Sequence, residues 1–222
     1  MVILGAEFEK SAPSVSSAPP PDLPEVCFAG RSNVGKSSAL NVLTNRRQLA
    51  RVSKTPGRTR LLNFFRVELA DRPGPNRRTA ALRLCDLPGY GHAEAPKRDR
   101  ETWGAMVTAY LRERESLRAV VMLVDAQVGP QPKDHEMLEF LAAGRLPLVV
   151  AATKSDRLAR TRLSSALDRV ARELGLPREA VLAFSAKTAV GRDELWNVLC
   201  AASGILGRND TGRLLSPVEE ER

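Results

Sequence analysis

A chain of 222 residues with 43% apolar side chains is long enough for one domain with a sizeable core and too apolar for wholesale disorder. No apolar run approaches the length of a membrane span, and residues 1–10 are too short and too mixed for a secretory signal. The formal charge of +8 leaves two readings open, a surface that meets polyanions or a well-solvated arginine-rich exterior.

In chain order, residues 1–24 read as an N-terminal extension and a Pro- and Ser-rich lead-in, stiff and extended rather than helical. Val26 to Ala29 is a short apolar strand. It runs into Gly30-Arg31-Ser32-Asn33-Val34-Gly35-Lys36-Ser37, and a helix follows to about Asn45. Between Arg46 and Arg60 stand six basic residues and no acidic one. Leu61 to Leu69 is β-rich, 71–76 is a turn, and Ala80 to Cys85 is the next strand. Trp103, Met106, Val107, Tyr110 and Leu111 have helical spacing, and 119–124 is a continuous apolar run suited to a strand covered on both faces. Helices near 133–143, 163–174 and 195–202 alternate with strands at 148–152 and 181–184. The alternation predicts one α/β domain over 25–206, and 207–222 reads as a polar tail. Cys27, Cys85 and Cys200 each sit in an apolar run and read as buried packing residues of a reducing cytosol, with neither disulfide nor zinc spacing.

In such sheets ligands gather beyond the carboxyl ends of the strands, so the residues just after each strand matter most. After the first stands G-x-x-x-x-G-K-S. Its glycines let consecutive N–H groups curl around phosphate oxygens, Lys36 reaches the terminal phosphates, and the Ser37 hydroxyl ligates a bridging magnesium ion. After a later strand comes Asp86-Leu87-Pro88-Gly89. Asp86 is the expected holder of the magnesium, through a water, and the Gly89 N–H is expected to sense the terminal phosphate. Thr153-Lys154-Ser155-Asp156 follows the next. A carboxylate there can take two parallel hydrogen bonds from guanine, which adenine cannot offer, while the Lys154 stem covers the base. Phe184-Ser185-Ala186-Lys187 ends the last strand and offers N–H groups to the guanine carbonyl. Each string alone has a dull alternative, a common turn or a helix cap. Together, in this order, they specify a guanine nucleotide. Within Gly57-Arg58-Thr59-Arg60-Leu61, Thr59 is the candidate second magnesium ligand, closing over the terminal phosphate and opening after hydrolysis.

The strings GRSNVGKSSALNVLT (30–44), ARVSKTPGRTRLLNFF (50–65), CDLPGYGHA (85–93), TKSD (153–156) and FSAK (184–187) resemble the EngB/YihA/YsxC family of ribosome-biogenesis GTP-binding proteins, from about Pro20 to the last helix. The resemblance implies a Ras-like P-loop GTPase domain: a mostly parallel six-stranded sheet with one antiparallel edge strand from Leu61 to Leu69, and helices on both faces. It further implies a cytoplasmic monomer that hydrolyses GTP to GDP with Mg2+, acts on the large ribosomal subunit or its precursor, and is needed for normal cell division and septation. Two positions depart from the family pattern. Thr153 stands where base-recognition strings usually begin with Asn, and His92 stands where an aromatic is common.

Tyr90 occupies the place of the water-positioning Gln of many signalling GTPases, so slow intrinsic turnover stimulated by a partner is expected. By similarity to cation-stimulated relatives, Asn33 suggests a K+ ion bridging the phosphates. Lys36, Thr59, Gly89 and Asn33 are thus the candidate catalytic residues. The competing readings are an ATP-dependent kinase or ATPase, and a nucleotide-gated RNA-binding scaffold with negligible hydrolysis.

Overall fold

The computed structural model describes residues 1–50, 61–90, 97–143 and 146–206. One seven-stranded sheet organises them: β1 (Val2–Ala12), β2 (Glu25–Gly30), β3 (Leu62–Ala70), β4 (Thr79–Asp86), β5 (Leu117–Asp125), β6 (Leu148–Thr153) and β7 (Val181–Ala183), in the spatial order β1-β3-β4-β2-β5-β6-β7. The β1/β3 and β3/β4 pairs are antiparallel, and every other pair is parallel.

Strand alternation explains the apolar runs. In β5, Val120, Met122 and Val124 point to one face while Ala119, Val121 and Leu123 point to the other, and all six are buried. The first face is covered by α2 (Lys97–Glu113), α3 (Pro132–Ala143) and α4 (Arg160–Leu174), through Tyr110, Met137, Val170 and their neighbours. The second is covered by α1 (Lys36–Leu43) and α5 (Arg192–Ala202), whose Leu40, Leu43, Trp196 and Leu199 are fully buried. The three cysteines are free and buried, as their apolar surroundings predict. No helix among the described residues is long and apolar enough to cross a membrane.

The α/β architecture is the expected one, with one strand more. Val2–Ala12, expected as part of an extension, is the edge strand, so β3 lies inside the sheet rather than at its edge. The reason is local. Register shifts at Ile3/Gly5 and Phe8/Lys10 break the two-residue period by which a strand is recognised. Met1, Ile3 and Ala6 nevertheless pack on the α1/α5 face, and Ala12 is fully buried on the other. The expected polar tail lies outside the described residues.

At the amino ends of the parallel strands sits a cluster of charges. Glu25 is fully buried, with Arg83 and Arg114 against it. Arg83 also pairs with Glu9 at 2.7 Å and Asp22 at 2.8 Å, and donates to the Pro20 carbonyl at 2.9 Å. Arg114 donates to the Pro19 carbonyl at 2.7 Å, and the Tyr110 hydroxyl donates to Glu25 at 3.1 Å. The Pro-rich lead-in is held by its carbonyls, which suits a segment poor in N–H donors.

Candidate nucleotide site

At the opposite end of the sheet, β2 ends at Gly30 and the chain turns sharply into α1. The turn needs left-handed backbone at Asn33 (φ 64°) and at Gly35 (φ 112°), where a side chain would be strained. Val34 N–H donates back to the Arg31 carbonyl at 3.2 Å, closing the loop in front of the helix N-terminus. The Lys36 ammonium reaches back over the loop to the Gly30 carbonyl at 3.1 Å. Burial pulls its pKa below the ordinary lysine value, and the Asp86 carboxylate works against that pull.

Asp86 ends β4 and is buried, and its Oδ1 has no hydrogen-bond partner among the described residues. Burial pushes its pKa up to about 6, with the Lys36 charge opposing the rise. An orphaned buried carboxylate oxygen is costly unless a ligand completes it. Oxygen donors from one carboxylate and the Ser37 hydroxyl suit Mg2+, a hard cation that takes its remaining ligands from water and phosphate. Among the described residues no three His, Cys, Asp or Glu side chains gather into a metal cage.

Leu87 to Tyr90 continues β4 along the phosphate loop. Leu87 N–H donates to the Phe28 carbonyl at 3.1 Å, and Ser32 N–H to the Tyr90 carbonyl at 3.1 Å. Gly89 is pressed so closely on the loop that a Cβ there would lie 2.8 Å from Ser32 Oγ and 3.0 Å from Lys36 Nζ. The Tyr90 side chain turns into the core and donates its hydroxyl to Asp134.

The base-recognition string begins at the end of β6. The Thr153 hydroxyl donates to the Val34 carbonyl at 2.7 Å, with the Val124 carbonyl at 3.2 Å on its other side. A hydroxyl therefore ties β6 to the phosphate loop. Lys154 takes left-handed backbone (φ 57°), and its ammonium pairs with Asp125 at 2.8 Å. Burial works to raise the Asp125 pKa. The Lys154 charge and the Val128 and Gln127 N–H groups outweigh it and hold the carboxyl below its usual value. Asp156 is exposed, and its Oδ1 accepts the Ser185 hydroxyl at 2.6 Å. That hydroxyl oxygen accepts the Lys187 and Thr188 N–H groups, so the last loop and the carboxylate are joined. Ser155 N–H donates to the Phe184 carbonyl at 3.2 Å, and Ala186 is half-buried beside them.

Four of the five expected strings thus meet at one rim. Gly57 to Arg60, with Thr59, and His92 lie outside the described residues, and Leu61 is exposed just before β3. Two carboxylates were not foreseen. Asp125 holds Lys154, and Asp134 holds Tyr90, 44 positions away in the chain. Neither has a local sequence signal, because each partner comes from another element.

The family model described as "50S ribosome-binding GTPase" matches residues 25–154, and that of the elongation factor Tu GTP binding domain matches residues 107–203. A probable GTP-binding protein EngB of Anaeromyxobacter dehalogenans is 49% identical over 199 residues, 90% of this chain and 91% of that protein. The crystal structure of a probable GTP-binding protein engB superposes with a TM-score of 0.61 at 24% identity, over 81% of this chain and 98% of that one, a likeness of fold. Era, solved in complex with MgGDPNP and a segment of 16S ribosomal RNA, superposes with a TM-score of 0.60 at 25% identity, over 79% of this chain and 55% of that one. Identity at nearly half of the positions along nine-tenths of the chain, on a sheet whose rim gathers the strings described above, makes the protein a GTP-hydrolysing member of the EngB family of GTP-binding proteins.

Proposed function

We propose that this GTPase is a GTP/GDP switch in assembly of the large ribosomal subunit and thereby serves normal cell division, working as a cytoplasmic monomer. The observation that carries the base assignment is Asp156: exposed at the rim, held by Ser185, with lone pairs left for the N1–H and amine of guanine. The Lys154 stem covers the base and the Ala186 N–H meets its carbonyl, while the Ser185 N–H donates to the Val190 carbonyl at 3.0 Å and holds the loop. The N–H groups of Asn33 and of Gly35 to Ser37, at the N-terminal end of α1, take the phosphates, while those of Ser32 and Val34 hold the loop itself. The Lys36 ammonium, disfavoured by burial when alone, gains a counter-charge from them. The Gly89 N–H faces the terminal phosphate. Ser37, Asp86 and Thr59 hold Mg2+, and the orphaned Asp86 oxygen supports that set. When bound, the ion neutralises charge that builds on the transferring phosphate. Asn33, at the apex of the loop, is assigned to a K+ ion that adds positive charge there.

The ribosomal role is supported by the description of the matching family model, by the solved RNA complex of Era, and by the charge of +8 with its acid-free stretch from Arg46 to Arg60. Asn41 clasps Ala50 by two hydrogen bonds of 2.8 and 2.9 Å, which leaves Arg46 and Arg47 exposed at the start of that stretch. The test is phosphate release with and without large-subunit precursors, in Na+ and in K+. Precursors and K+ should each raise turnover, and a displacement titration should favour GTP and GDP over ATP. Equal retention of ATP, or a guanine preference that survives Asp156→Ala, would overturn the base assignment. Turnover indifferent to precursors would overturn the ribosomal one.

A further inference from the structure

Tyr90 is gripped from two sides. Its backbone bridges Arg31, with Ser32 N–H to the Tyr90 carbonyl at 3.1 Å and Tyr90 N–H to the Gly30 carbonyl at 3.4 Å. The first is an ordinary bond and the second is longer than the usual range, so the backbone holds this segment by one good bond and one weak one. The firmer grip is the side chain. The buried Tyr90 hydroxyl donates to Asp134 Oδ1 at 2.8 Å, a bond strengthened by the carboxylate charge. Asp134 is itself buried, and its Oδ2 accepts the Gln131 N–H at 2.8 Å, which locks the carboxylate at the first turn of α3. Gly89, one residue before Tyr90, lies so close to Ser32 and Lys36 that no side chain would fit there. The Tyr90 grip is thus the nearest tie from this glycine to the α3 side of the molecule.

We propose that Asp134 is a positioning residue: through the Tyr90 hydroxyl it holds the Gly89 N–H where a terminal phosphate needs it, and so sets the preference for GTP over GDP. The proposal rests on the reading that places Gly89 at that phosphate. GDP lacks the group that Gly89 meets, so loss of the link weakens GTP alone. A link that served only packing would weaken both nucleotides together.

The test is equilibrium binding of fluorescent GDP and a fluorescent non-hydrolysable GTP analogue to the full chain with Mg2+. Tyr90→Phe keeps the ring and removes one hydrogen bond, so affinity for the analogue should fall about three- to tenfold while that for GDP holds within about twofold. Asp134→Ala should reproduce that change, and the double variant should add nothing to it. Asp134→Asn keeps an acceptor for Gln131 and offers its amide to the Tyr90 oxygen, so it should restore the wild-type ratio; thermal unfolding of each variant checks that it folds. Equal weakening of both nucleotides, or an unchanged ratio in Tyr90→Phe, overturns the proposal. A ratio of the two affinities that stays at the wild-type value in Gly89→Ala instead overturns the reading beneath it.

Discussion

The two ends of the sheet carry similar charged groups and treat them in opposite ways. At the amino end, the Glu25 carboxylate is fully buried and meets Arg83, Arg114 and Tyr110, with both of its oxygens engaged. At the carboxyl end, Asp86 is also buried, yet among the described residues one of its oxygens meets nothing, and the charge that bears on it is Lys36. Desolvation costs both ends alike. What differs is who completes the pairing: the protein itself at one end, a ligand at the other. A buried charge is therefore a guide to function only once its partners have been counted.

Breaking the paired end should cost most. Arg83→Ala takes their cation from Glu9 and Asp22 and leaves Glu25 to Arg114 and Tyr110, and should destabilise the protein by about 3–5 kcal/mol, seen as a fall of roughly 10 °C in melting temperature. GDP affinity measured well below that temperature should not move. Asp86→Asn sharpens the comparison by giving the reverse sign. It removes a buried charge whose Oδ1 has no partner among the described residues, at the loss of its attraction for Lys36, so the nucleotide-free protein should gain less than about 1–3 kcal/mol while Mg2+-dependent GTP affinity falls. A loss of stability there would mean that Asp86 is paired as fully as Glu25. Thr153→Val, nearly isosteric, probes a bond that belongs to both scaffold and site. Loss of the tie to Val34 should cost about 1 kcal/mol and speed GDP dissociation several-fold in a chase experiment. Lys133→Ala sets the baseline. Its pair with Glu136 is exposed on α3, and denaturant unfolding should shift by less than about 0.5 kcal/mol.

The readable parts of the site were those written in consecutive residues. The phosphate loop, Asp86 to Gly89, Thr153 to Asp156 and Phe184 to Ala186 each place their chemistry within a few positions of a strand end, where the period of the pattern changes. The central strands were equally plain, because unbroken apolar runs such as 119–124 have few other uses. What stayed hidden was long-range or irregular. Arg83 sits inside a strand where an apolar residue would be expected, and its partners Glu9 and Asp22 come from the lead-in. Asp125 and Asp134 are single carboxylates among many, told apart only by what folding brings to them. Thr153 gave the identity of its neighbours but not its bond to Val34, which crosses from one strand to the loop of another.

The edge strand has a consequence for how the protein is made. Val2–Ala12 leaves the ribosome well before its partner, which spans Leu62 to Ala70, with Val2 matched to Ala70. At about 5–20 residues per second it waits several seconds for a mate. A smooth, apolar ribbon left alone that long would invite its counterpart on a neighbouring nascent chain. The two register shifts, together with Glu7, Glu9 and Lys10, make it a poor template for such mispairing. The features that disguise the strand in the sequence thus guard it during synthesis.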